Sequence, residues 1–342
     1  MSGKRIIWAD ALKGILIVLV VLGHSIKVSM IKMDLSFIDD YLWNLIYSFH
    51  MPAFMAVSGY LAFRKNGIGG GKSEWISFAW RRFRQLIIPF LLWSVVMFFV
   101  NHNVTNFYDY ILYPHLSLWF LWALFFIAII FAGIDLIARQ LKVKQEFLMA
   151  VCWVLLVALM FVMYDAKLLG VEYIAYYFFY YMCGYYVHKY FERLITGNNL
   201  LIVLSGILWF ALGSIYNTQG LPRELQFIPV IPHSALYMAY RMLTALIAIF
   251  FLFSLGQKVF DHEDGINKLI VRFGTVSLGI YAVHMVLRFR LCDGILMFVP
   301  DLSYWSLMII TFCLLLTVSY ILVWLLGKWS ITSVFLLGKL NK

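Results

Sequence analysis

The sequence predicts an all-α, polytopic integral membrane protein of about ten transmembrane helices, and three observations predict it. Of 342 residues, 63% are hydrophobic and only 13% charged, and the mean hydropathy is +0.87, far from the soluble balance of about half apolar and a quarter charged. Apolar runs near the bilayer-spanning length of about 20 residues recur from one end of the chain to the other. The connections between them are short, so residues 1–342 read as one transmembrane domain. Lipid offers no hydrogen bonds to the backbone, which leaves helices as the spanning element.

Taken in order, the runs place helices at Leu12 to Val28, Tyr41 to Phe63, Leu86 to Val100, Ser117 to Ile137, Phe147 to Met163, Val171 to Tyr190, Leu200 to Tyr216, Ser234 to Gly256, Leu269 to Leu287 and Tyr304 to Gly327. The start, Met1 to Ile7, has the basic flank of a signal peptide but lacks a small-residue cleavage pattern, and the first run ends in Gly23 and His24; it reads as a retained first helix. Asp165, Lys167 and Glu172 make a tight polar turn between the fifth and sixth spans. The loop Arg64 to Gln85 carries Gly69-Gly70-Gly71 and the tract Arg81-Arg82-Phe83-Arg84. Those glycines read as a flexible linker, because neither a Lys-Ser/Thr pair nor a preceding strand makes them a phosphate loop.

Basic residues set the orientation. With the N-terminus inside, roughly three quarters of the 27 Lys and Arg fall on the cytoplasmic side, and both termini are expected there. The outer exceptions are Lys27, Lys32, Lys167, Arg223, Arg241, Arg288 and Arg290. The formal charge of +10 is therefore topological, and no nucleic-acid partner is expected. Cys152, Cys183, Cys292 and Cys313 have no metal-ligand spacing and read as buried free thiols, and no metal is expected. His102, His115 and His233 fall in outer loops and read as solvated. The sequence leaves the oligomeric state open, a homo-oligomer included.

A charge or an imidazole in the hydrocarbon layer costs a few kcal/mol or more, so it needs a partner, a wet cavity or a chemical role. The first helix carries Asp10, Lys13 and His24. Eleven residues separate Lys13 from His24, close to three turns, which puts both on one face with the imidazole roughly 16 Å further along. The second helix brings His50, then Pro52, which frees a carbonyl beside it, then Ser58-Gly59-Tyr60. The ninth brings Ser277, Tyr281 and His284, spaced four and three and so on one face. Counted from the expected ends, His24, His50 and His284 lie at similar depth, where three helices can build one imidazole-rich site.

In their order along the chain, the Asp10, Lys13 and His24 stripe, Ser58-Gly59-Tyr60, Arg81 to Pro89, Leu118-Trp119-Phe120-Leu121 and Ser277 to His284 resemble the membrane-bound acyltransferase-3 family, nearest its fucose 4-O-acetylase-like sugar O-acetyltransferase branch. The resemblance implies about ten membrane helices. It also implies transfer of an acyl group, usually acetyl from cytoplasmic acetyl-CoA, onto hydroxyls of cell-surface glycans or their lipid-linked precursors, in the cell inner membrane. The family pattern commonly has Arg where Lys13 stands, a change that replaces a bidentate fork with a point charge. The family's Arg-x-x-Arg matches Arg81 and Arg84, and its first-helix histidine matches His24.

A sugar hydroxyl is a weak nucleophile, and a neutral imidazole near pH 7 suits removal of its proton during attack on a thioester. His24 is the expected base, and His284, Tyr281 or Ser58 the expected partner of its second nitrogen or of the oxyanion. Asp10 lies too far along the helix to orient His24. Arg81, Arg82 and Arg84 are the expected holders of CoA phosphates. Trp119 and the Tyr176 to Tyr186 cluster, with His50, offer contacts to a sugar. Each residue also has a plainer reading. Lys13 can snorkel, the arginines can anchor the inner face, Ser58-Gly59 can merely allow close helix approach, and the tyrosines can pack. The competing function is a polysaccharide or proton-coupled transporter, against which stand the lack of a half-to-half repeat and of paired intramembrane carboxylates.

Overall fold

The computed structural model describes residues 5–64, 71–101, 106–163, 167–195, 199–226, 232–260 and 262–339. Gly69, Gly70, Asp165 and His102 lie outside the described residues. Every described element is helical. The helices are α1 (Ile7–Lys32), α2 (Tyr41–Tyr47), α3 (His50–Ala62), α4 (Lys72–Arg82), α5 (Ile88–Asn101), α6 (Asp109–Leu112), α7 (Trp119–Leu141), α8 (Gln145–Val162), α9 (Val171–Tyr186), α10 (Glu192–Ile195), α11 (Asn199–Ser214), α12 (His233–Val259), α13 (Gly265–Thr275), α14 (Ser277–Phe298), α15 (Tyr304–Leu326) and α16 (Ser330–Phe335).

Among the described residues, seven helices are long and apolar enough to cross a membrane, or eight if the bent pair α13 and α14 is one span. The expected count of ten differs at two places: α11 has 16 residues, about 24 Å against a hydrocarbon layer of about 30 Å, and α9, which runs on through a π turn at Val187–Phe191 into α10, is not among the candidate spans.

Two helices expected to be continuous are interrupted, and a third is extended. The second divides at Ser48 and Phe49 into α2 and α3. Pro52 cannot donate to the Ser48 carbonyl four residues back, and its ring crowds that carbonyl. The third begins earlier than expected: within the expected loop Arg64 to Gln85, Lys72–Arg82 is helix α4, joined to α5 through a π turn, Phe83–Ile87, and Pro89 stands in the same relation to Gln85 within that turn. The ninth bends by 70° at Val276 between α13 and α14. No proline causes that bend. Gly274 is pressed against the α1 backbone, where a Cβ would collide with the Asp10 carbonyl, and a Cβ on Gly14 would collide with the Ile270 carbonyl. The Thr275 hydroxyl donates to the Arg272 carbonyl at 2.8 Å as the helix ends.

The chain gathers into two compact units. The first comprises Met1–Val57 and Tyr190–Tyr320. Within it α1 packs against α2, α12, α13 and α14, with Ile26, Trp43, Ile46 and Met308 in one core cluster and Val28, Cys292 and Leu307 in another. His24 meets His284 and Lys32 meets Asp293, so α1 and α14 run parallel. The second unit comprises Ser58–Lys189 and Ile321–Lys342. Within it α7 packs on α4, α8 and α9, around Phe78, Ala128 and Ala132. Gly59 lets α3 approach α9 so closely that a Cβ would overlap the Tyr181 carbonyl, the close-approach role that small residues play between membrane helices.

Apolar side chains also face outward. Leu155 is 64% exposed on α8 and Leu200 is 65% exposed on α11, surfaces that only a lipid environment accommodates at this density. All four cysteines are free thiols. Cys292 is buried, whereas Cys313, expected to be buried, is exposed on α15, since it sits on that helix's outward face beside Ile309 and Leu314. His115 differs from its expected solvation too. It is half-buried in the turn Pro114–Leu116, and desolvation pushes its imidazole below the usual histidine range. His233 is exposed at the start of α12.

Candidate functional site

α1 carries two polar stations. At its start Asp10 accepts from Arg5 at 2.7 Å and from Lys13 at 2.6 Å, and Arg5 reaches Glu263 at 2.7 Å. The carboxylates and cations therefore alternate, Glu263–Arg5–Asp10–Lys13, and each charge has an opposite neighbour. Asp10 and Lys13 serve one another across a single turn, three residues apart.

His24 lies three turns beyond Lys13. Its Nδ1 is 2.9 Å from Nε2 of His284 on α14. The second nitrogen of His284, Nδ1, is 2.8 Å from the Ile280 carbonyl. A carbonyl oxygen only accepts, so His284 Nδ1 bears a hydrogen and its Nε2 is the lone pair when the ring is neutral. His24 must then donate from Nδ1, and its Nε2 is left as the basic atom. Two helices thus fix the tautomer of one imidazole, the second-nitrogen logic common to reactive histidines. His284 is fully buried, while His24 keeps part of its surface accessible.

His50 belongs to the same unit without joining this pair. Its Nδ1 donates to the Ile46 carbonyl at 2.7 Å, and the Tyr47 ring stands between it and His24, with centroids 4.7 Å from His50 and 6.5 Å from His24. The expected meeting of three imidazoles is a bonded pair plus a third behind a tyrosine. The turn at Ser48 and Phe49 places Tyr47 there. Tyr281 packs against His284 at 5.7 Å between centroids. Arg288, one turn beyond His284, was assigned by sequence reasoning only to topology. It sits inside this cluster and interacts electrostatically with His24, Tyr47, Tyr281 and His284. Its i, i+4 spacing from His284 was the available signal.

The other expected site residues fall in the second unit. Arg81 is exposed at the end of α4 and Arg84 lies in the π turn. Arg82 reaches Gln85 at 3.3 Å and covers the Phe78 ring at 5.3 Å. Ser58 precedes the close-packed Gly59. Trp119 is stacked on Tyr173 and Tyr177, with centroids at 4.5 and 5.0 Å, so tyrosines occupy part of the surface expected to meet a sugar. Tyr180, Tyr181 and Tyr185 are buried core residues. His188, unremarked in the sequence, donates to the Tyr60 carbonyl at 2.7 Å and stacks on the Tyr60 ring at 4.0 Å. It lies in a second π turn, Val187–Phe191, a feature with no signature in sequence.

Fold and site together describe a multi-pass helical membrane protein with a hydrogen-bonded imidazole pair. The chain belongs to the acyltransferase-3 family: residues 6–327 match the family described as Acyltransferase domain. It is 33% identical over 163 residues to Nodulation protein NolL of Sinorhizobium fredii (strain NBRC 101917 / NGR234), a match covering 44% of this chain and 43% of that protein. It is 32% identical over 135 residues to Nodulation protein NolL of Mesorhizobium japonicum (strain LMG 29417 / CECT 9101 / MAFF 303099), covering 36% of this chain and 34% of the relative. The matched regions thus span less than half the length of either relative. No solved structure matches the chain.

Proposed function

We propose that this chain is an O-acetyltransferase of the cell inner membrane, with both termini cytoplasmic, that moves acetyl from cytoplasmic acetyl-CoA to a hydroxyl of a cell-surface glycan or its lipid-linked precursor. The observation that carries the reading is the His24–His284–Ile280 chain, which leaves a lone pair on His24 Nε2. That nitrogen takes the acceptor proton as the hydroxyl oxygen attacks the thioester carbonyl. The C–O bond forms, the C–S bond breaks, and the proton passes to the departing thiolate. Tyr281 and the polar groups near it stabilise the oxyanion. Lys13, held by Asp10, marks the donor's entry along α1. Arg81, Arg82 and Arg84 bind CoA phosphates through charge-assisted hydrogen bonds. His50, Ser58 and Trp119 contact the acceptor.

The test is reconstitution of the purified chain with labelled acetyl-CoA and acceptor glycan. His24→Ala should lower acetyl transfer by about 10²-fold or more, the range for loss of a positioned general base. Full activity in a folded His24→Ala protein overturns the assignment.

A further inference from the structure

Two cations lie within one helical turn of the His24–His284 pair. Arg5, Lys13 and Lys32 each pair with a carboxylate. Lys27 and Arg288 form no ion pair among the described residues. Lys27 Nζ rests 4.7 Å from the Phe37 ring centroid. The Arg288 guanidinium lies 5.1 Å from the Phe289 centroid, its Nη1 touches Met285 Sδ at 3.3 Å, and its Nε is buried without a hydrogen-bond partner among the described residues. Lys27 is three residues past His24 and Arg288 four past His284, each about one turn, or roughly 5 Å, beyond the imidazole pair. The two helices run parallel here, so both cations lie on the side of that pair away from Asp10, and their charges interact with each other.

Two unneutralised charges, one with a buried orphan donor, are costly without an anion. A transient oxyanion does not meet that need in the resting protein. We propose that Lys27 and Arg288 form an anion subsite for a phosphate borne by the acceptor sugar, so that the acceptor is a glycosyl phosphate of the lipid-linked kind. This rests on the acyl-transfer reading of His24. A phosphate on the anomeric carbon sits one ring-width from the other hydroxyls, matching a cation pair one helical turn from the base. The phosphates of CoA are separated from its thioester by the whole pantetheine arm and do not suit so short a spacing.

The probe is inorganic pyrophosphate, titrated into the full chain in phosphatidylcholine nanodiscs, with CoA and added phosphatidylglycerol as separate arms. Lys27→Met and Arg288→Met should each weaken pyrophosphate binding about tenfold, the loss expected of one charge-assisted contact. Lys27→Arg should retain binding within about threefold, which controls for folding along with thermal unfolding of each variant. CoA affinity should not change. Unaltered pyrophosphate binding in both Met variants overturns the proposal. A parallel loss of CoA assigns the site to the donor, and displacement by phosphatidylglycerol assigns it to lipid headgroups; either result also overturns it. His24→Ala should bind pyrophosphate normally, so the subsite and the acyl-transfer reading fail or survive separately.

Discussion

Replacing His284 with alanine removes the imidazole that accepts the Nδ1 proton of His24, at 2.9 Å and fully buried. A buried donor left without an acceptor costs about 1–3 kcal/mol. The variant avoids this by shifting His24 toward its other tautomer, which carries a hydrogen on Nε2 where the proposed reaction needs a lone pair. A bias of about 2 kcal/mol corresponds to roughly a 30-fold change in the tautomer ratio, so kcat should fall by about 10- to 100-fold. The KM for acetyl-CoA should move by less than about threefold, because the donor does not bind through this bond. His284→Gln, whose amide oxygen also accepts, should recover much of the loss. The assay is labelled acetyl transfer in nanodiscs, with thermal unfolding alongside, since truncating a buried ring also leaves a cavity worth about 2–4 kcal/mol. A folded His284→Ala protein with kcat within about twofold of wild type refutes the tautomer argument.

Two further outcomes follow from backbone geometry. Gly59→Ala forces a methyl group into the Tyr181 carbonyl and should destabilise the second unit by about 1–3 kcal/mol; Gly71→Ala, with nothing within 4 Å of its Cβ, should stay within about 0.5 kcal/mol, and equal melting temperatures for the two would contradict the packing. Pro52→Ala restores a donor to the Ser48 carbonyl and should join α2 to α3, moving Tyr47 and His50; acetyl transfer should fall at least about tenfold with unchanged or higher thermal stability, and unchanged transfer would show that the break is not needed.

The sequence made some of this visible for definite reasons. Composition and apolar run length reveal helices because lipid admits little else, and the spacing of Lys13 and His24 follows from helical periodicity. Pro52 announced an irregularity at His50. Pro89 did not announce a π turn, because a proline in that position is met by several backbone solutions. The bend at Val276 had no local marker at all; it follows from how Gly274 and Gly14 pack, a pairing between residues 260 positions apart. The same is true of the His24–His284 bond. Residues could be placed on faces, but which faces touch is decided by helix packing. Arg288 was read only through the topological rule because a charge near a helix end fits it, and only its neighbours bring it into the cluster.

The ending of the histidine chain on the Ile280 backbone oxygen also has a kinetic meaning. An amide carbonyl does not take up and pass on a hydrogen ion near neutral pH, so the chain is a cul-de-sac: it can aim His24 but cannot drain it. In the proposed reaction each turnover must discharge the imidazole through the same nitrogen that was loaded. That suits an exchange in which the alcohol's proton leaves on the thiol product, and it is a poor route for ion conduction across the bilayer.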